Sequence, residues 1–161
     1  MELASLRRRP AVELLAWVVL AQLAGAVGSV FTATAIGSWY ATLARPWFAP
    51  PNWVFGPVWV TLFALMGVAA WLVSRSDHPR RERALAVFVG HLVVNVAWSA
   101  AFFGLQSPAL GLAVIAVLIL AILATMREFD AVDRRAAALL VPYLLWTCFA
   151  TVLNYGFWSL N

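Results

Sequence analysis

The chain has 161 residues, of which 64% are hydrophobic and 11% charged, with a formal net charge of +4 and a mean hydropathy of +0.87. Soluble globular domains carry roughly 25% charged residues, so this composition excludes an ordinary soluble domain and leaves room for one membrane domain spanning 1–161. The basic residues are 11 arginines and no lysine, scattered between apolar runs rather than gathered in one patch, which excludes nucleic-acid binding.

A bilayer core of about 30 Å needs about 20 apolar residues in a helix. Five runs meet that length, near 11–36, 55–73, 84–103, 109–126 and 136–158, and they predict an all-α membrane protein, a five-helix bundle. The first run follows Arg7–Arg9 and ends in Ala33-Thr34-Ala35, the layout of a secretion signal. It exceeds 20 residues, longer than a signal's apolar region, so it is read as the first span. Between the first two runs lies Trp39–Trp59, WYATLARPWFAPPNWVFGPVW, with four Trp, one Tyr, two Phe and four Pro. Prolines fix extended and turn conformations, so this reads as a stiff aromatic loop. Trp and Tyr favour the membrane interface, which accounts for Trp39, Trp47, Trp53 and Trp158.

In the second run, Phe55, Trp59, Phe63 and Met66 form an aromatic stripe. In the third, His91, Asn95, Trp98 and Phe102 share one helical face. Polar groups at membrane depth are costly and face the bundle interior. Two readings stay open here: interhelical hydrogen bonding alone, or a cavity wall with polar contacts and aromatic plates. In the last run Pro142 is expected to kink the helix, and Tyr143, Trp146, Ala150 and Asn154 share a face. No carboxylate sits deep in a span: Glu13 is near the start of the first, Glu82 precedes the third and Glu128 follows the fourth. Cys148 is alone and the two histidines are far apart, so no metal site and no cofactor are expected, although a lone His91 could ligate haem iron.

Ten arginines fall on the side of the N-terminus and one, Arg45, on the other. This asymmetry predicts a cytoplasmic N-terminus in a plasma membrane; all-Arg usage hints at a bacterial cell membrane, with an outer membrane as the alternative host. Small residues at Ala86/Gly90, Ala97/Ala101 and Ala100/Gly104 let helices approach closely and predict a homodimer through the third span. Ala21, Gly25 and Gly28 form a rival patch on the first. The odd span number argues against two equal inverted transporter halves.

Three segments together resemble the TspO/MBR family, the tryptophan-rich sensory and translocator proteins once called peripheral benzodiazepine receptors. They are Trp39-Tyr40…Arg45-Pro46-Trp47…Pro50-Pro51…Phe55-Gly56…Trp59, then Asn95-x-x-Trp98-Ser99 with Phe102-Phe103, then Pro142-Tyr143-x-x-Trp146…Ala150-Thr151-x-Leu153-Asn154. The resemblance implies a membrane receptor or regulator, usually dimeric, that binds porphyrins such as protoporphyrin IX and haem, sterols, and synthetic isoquinoline or benzodiazepine ligands in a pocket capped by the first loop. It places Trp39, Tyr40, Phe55, Trp59, His91, Asn95, Trp98, Trp146 and Ala150 at pocket positions. Arg45, on the wet loop, is the candidate partner for a propionate. The alternatives it brings are light-dependent porphyrin degradation, with Trp59 and Trp146 as the residues concerned, and passive porphyrin or lipid transport. No conventional catalytic group stands beside those tryptophans, and enzymatic turnover ranks below binding. No Arg or Lys follows Tyr155, unlike the animal sterol motif.

Overall fold

A computed structural model describes residues 9–161. The charges of Arg7 and Arg8 lie outside the described residues. Helix α1, Pro10–Ala35, opens with Pro10 at a first-turn position, where a missing N–H costs nothing. It is followed by the single turn α2, Trp39–Thr42, and a 3₁₀ turn at Asn52–Val54. Then come α3, Phe55–Ser74, α4, Arg81–Ser99, and α5, Pro108–Val132. The last span is α6, Arg134–Leu139, running into α7, Val141–Leu160. Among the described residues, five segments are long and apolar enough to cross a membrane. Lipid offers the backbone no hydrogen bonds, so such runs close their own as helices.

Three boundaries differ from the sequence reading. The fourth span does not stop near Met126 but continues to Val132. Apolarity ends there while helical hydrogen bonding does not, and Glu128 sits inside the helix, buried against Arg83 of α4 at 3.1 Å. That ion pair ties the N-terminal-side ends of α4 and α5. Pro142 does not kink a continuous helix. The break falls at Leu140, and Pro142 lies in the first turn of α7, where its lost N–H had no partner to give up. The third span ends in a π-helical turn, Ala100–Gly104, closed by Leu105 N–H donating to Ala100 O at 2.7 Å. No composition signal marks it. The wider turn brings Phe102 and Phe103 together, ring centroids 4.8 Å apart.

The caps follow short-range chemistry. Gln106 takes a left-handed φ of 52°, which reverses the chain between α4 and α5. The Ser107 hydroxyl then accepts from Leu110 N–H at 3.1 Å, as an N-cap does. Asp133 caps α6 by accepting from Arg135 N–H at 2.9 Å. The Arg135 side chain hydrogen-bonded to it holds that carboxyl below its usual range.

Helix α1 packs on α3 and α4, α4 on α5, and α5 on α7; α3 and α7 are not among the closely packed pairs. The tightest approach is at Gly67 of α3. A Cβ there would lie 2.5 Å from Val18 Cα and 2.8 Å from Val18 N, so only the absence of a side chain lets α1 touch α3 backbone to backbone. The patch Ala21, Gly25 and Gly28 is consumed inside the chain. Ala21 and Gly28 are buried, and a Cβ at Gly25 would strike the Phe63 ring at 2.6 Å. It is therefore no surface for a second copy. On α4 the outcome is split: Ala101 is buried, whereas Ala86, Gly90 and Ala97 are exposed.

Candidate functional site

The gap between α3 and α7 is a cavity of about 500 Å³, inside the range of small-molecule sites. The inward stripes of three spans converge on it. From α3 come Phe55 and Trp59, from α4 Asn95 and Trp98, from the π-helical turn after it Phe102, and from α7 Trp146, Ala150 and Asn154. Tyr40 of α2 closes the end away from the N-terminus. The lining is mostly apolar, and its aromatic rings brace one another. Phe55 stands edge-on to Trp146 at 5.9 Å, Trp59 lies 5.6 Å from Phe63, and Trp98 stacks on Phe102 at 5.7 Å. Such pairs add about 0.5–1.5 kcal/mol each beyond burial, which holds the plates in place without a ligand.

Seven of the expected positions therefore lie on the cavity wall: Tyr40, Phe55, Trp59, Asn95, Trp98, Trp146 and Ala150. Three do not. Trp39 packs edge-on against the far side of Phe102 at 5.7 Å and supports the wall from behind. Arg45 is exposed on the loop. It donates to Asn52 Oδ1 at 2.9 Å and to Pro50 O at 3.0 Å, with its guanidinium 5.5 Å from the Tyr40 ring. Two of its five N–H donors are spent on holding the loop. Burial raises the Tyr40 phenol above its ordinary pKa, against the opposing pull of Arg45.

His91 is the third. Only 2% exposed, it sits behind the wall in a closed network. Its Nδ1 lies 2.7 Å from Phe88 O and its Nε2 3.2 Å from Tyr143 Oη. A carbonyl only accepts, so Nδ1 carries the proton and Nε2 is the acceptor. The Tyr143 hydroxyl then donates to His91 and accepts from Asn95 Nδ2 at 2.8 Å. Every partner is used, and no ring nitrogen is free for haem iron. Replacing Tyr143 with Phe should strand both polar groups in the bundle. Each unsatisfied buried group costs about 1–3 kcal/mol, so the Tyr143→Phe variant should unfold at clearly lower temperature in detergent. An unchanged midpoint would refute the network.

The opposite holds for Trp146. Its indole N–H is buried with no acceptor among the described residues, on a side chain that faces the cavity. Trp98, by contrast, donates to Asn154 Oδ1 at 3.2 Å, and Asn154 Nδ2 donates to Pro108 O at 2.8 Å. Asn154 was legible only as a member of a stripe; its bridging role needed the fold. No group of three His, Cys, Asp or Glu suited to a metal ion occurs among the described residues.

The loop over the cavity is pinned to α7. Asn161 accepts from Ala44 N–H through Oδ1 at 2.9 Å. Its Nδ2 donates back to Ala44 O at 3.1 Å, a two-point clasp of one peptide. Pro46 lies over Gly156, where a Cβ would come within 2.6 Å of it. Tyr40 packs on Phe157 at 5.1 Å. Trp47, 95% exposed, points away.

A family model described as the TspO/MBR family matches residues 17–159. A tryptophan-rich protein TspO of Archaeoglobus fulgidus is 40% identical over 144 residues, covering 89% of this chain and 94% of that protein. The tryptophan-rich sensory protein of Cereibacter sphaeroides is 37% identical over 148 residues, 90% of this chain and 92% of its own. The human translocator protein is 40% identical over 140 residues, 84% and 82% respectively.

Proposed function

The chain belongs to the TspO/MBR family of integral membrane proteins, and from that premise we propose that it is a receptor or regulator that binds a flat, mostly apolar small molecule of the porphyrin type between α3 and α7. The observation that carries this reading is the braced aromatic cavity of about 500 Å³ between α3 and α7. At about 0.3 kcal/mol per atom, a tetrapyrrole of roughly 40 heavy atoms has a ceiling near 12 kcal/mol, which allows micromolar to nanomolar affinity. Titration of the purified protein with protoporphyrin IX, haem and cholesterol, read by tryptophan quenching, tests it. Saturable quenching by the porphyrins supports the reading; none by any of the three refutes it. Arg45 keeps three N–H donors besides those on Asn52 and Pro50, enough to meet a propionate.

Trp59 and Trp146 on one cavity also suit the alternative of light-dependent porphyrin degradation. New product formed under illumination, and lost in the Trp146→Phe variant, would favour it over simple binding. Flux of porphyrin into sealed vesicles would favour transport.

The protein is further proposed to dimerise through the exposed small residues of α4. Gly90 and Ala97 are exposed, and a Cβ on Gly90 would meet nothing within 4 Å, which leaves space for a partner helix. Gly90→Leu with Ala97→Leu should shift detergent-purified protein to monomer in light scattering. A dimer that survives both changes would move the interface off α4. Ala101, buried in this chain, is unsuited to that test. The N-terminus is proposed to face the cytoplasm, since Arg75, Arg80, Arg81, Arg83, Arg127, Arg134 and Arg135 all lie at that end of the bundle. A reporter fused after Asn161 should be active only outside the cytoplasm; cytoplasmic activity would invert the topology.

A further inference from the structure

We infer that ligands enter the cavity sideways from the bilayer, through a window between α1 and α3, with Gln22 as the positioning residue at its sill. The inference rests on the ligand-binding reading above and adds the route and the residue that controls it.

Helices α1 and α3 are antiparallel and touch at Val18 and Gly67. One turn further along α1, Gln22 Nε2 donates to Val60 O at 2.8 Å, a polar strut across the gap. Beyond the strut, toward the loop, the facing residues are small: Ala26 and Ser29 on α1, Gly56 on α3. All three line the cavity and all three are exposed. Val60 beside them lines the cavity and is 58% exposed. A residue that touches the cavity and the exterior together marks a wall one side chain thick. Here its side chains are a methyl, a hydroxymethyl and a hydrogen. A Cβ on Gly56 would meet nothing within 4 Å, so the gap is open at that level.

The window lies within the span of α1. Gln22 is the thirteenth residue of its 26, at about half the helix's length by its rise of about 1.5 Å per residue. A polar side chain at that depth is costly in lipid, and its donor is satisfied only by bridging to Val60. The opposite entrance, under the loop, is shut by the Asn161 clasp on Ala44, by Pro46 over Gly156 and by Arg45 on Asn52 and Pro50. The ligand class this route selects is a membrane-dissolved molecule thin enough to pass edge-on between two helices, its polar groups trailing toward the interface.

Stopped-flow binding of protoporphyrin IX to the protein in nanodiscs tests the route. Gly56→Leu and Ala26→Leu should slow both association and dissociation, association by about tenfold, since a barrier at the entrance acts on passage in both directions. Gln22→Leu should speed both. Asn161→Ala, which frees the loop, should alter neither. If Asn161→Ala speeds association while the window variants leave it unchanged, entry is through the loop and the inference is overturned. A second readout needs no porphyrin. In a Cys148→Ser background, Ser29→Cys should react readily with a maleimide dissolved in the lipid, and adding Gly56→Leu should slow that reaction. No reaction at Ser29→Cys would show the window closed, whether or not porphyrin binds. A reactive window in a parent that binds no porphyrin would sink the binding reading alone.

Discussion

Gly67→Ala should clearly lower the thermal unfolding midpoint. The added Cβ would sit 2.5 Å from Val18 Cα, 2.8 Å from Val18 N and 3.0 Å from Trp17 O. All three are backbone atoms of α1, so no rotamer change relieves the clash and the two helices must move apart. Overpacking of this kind costs about 1–3 kcal/mol and occasionally more; Gly67→Leu should reach the upper end and lose folded protein on purification. Gly90→Ala is the control. Its Cβ meets open space, and alanine is the better helix former by roughly 1 kcal/mol, so it should be neutral or mildly stabilising. Equal midpoints for Gly67→Ala and Gly90→Ala would show that the α1–α3 contact carries no such weight.

The second large effect concerns ligand affinity. Trp146→Phe keeps a ring against Phe55 and Phe149, so the fold should survive. It removes part of the ring surface on the cavity wall. A loss of about 1.4 kcal/mol, or tenfold in Kd, is expected for protoporphyrin IX in a quenching titration. Trp47→Phe should stay within about twofold, because Trp47 is exposed and touches only Phe48 among the aromatic rings. Parent-like affinity in both variants, with quenching intact, would place the ligand elsewhere and withdraw the assignment to these helices.

The spans were legible because the bilayer imposes a length rule that composition alone can meet. The inward faces of α3, α4 and α7 were legible for a different reason. In lipid the outward face is as apolar as the core, so hydrophobic periodicity says little. Polar and aromatic residues at helical spacing were the usable signal, and the cavity is lined by Asn95, Trp98 and Trp146 from those stripes. The same signal misplaced His91. It shares that stripe, yet whether a stripe residue faces a cavity or a neighbour depends on which side chain fills the space beside it. Here that is Tyr143, 52 residues away. Nor did the residues of the window stand out: Ala26, Ser29 and Gly56 are unremarkable in a membrane helix, and only the divergence of α1 from α3 gives them an exterior and an interior at once.

By itself the sequence determined five membrane-crossing helices, their family and the aromatic character of the site, because each follows from local composition and short-range spacing. Tertiary structure alone decided which of those residues face the cavity and that the loop is held by Asn161 at a separation of 117 residues. These are matters of distance between segments remote in sequence. Such distances are set by how closely helices pack, and at Gly67 and Gly25 that closeness turns on single hydrogen atoms in place of side chains.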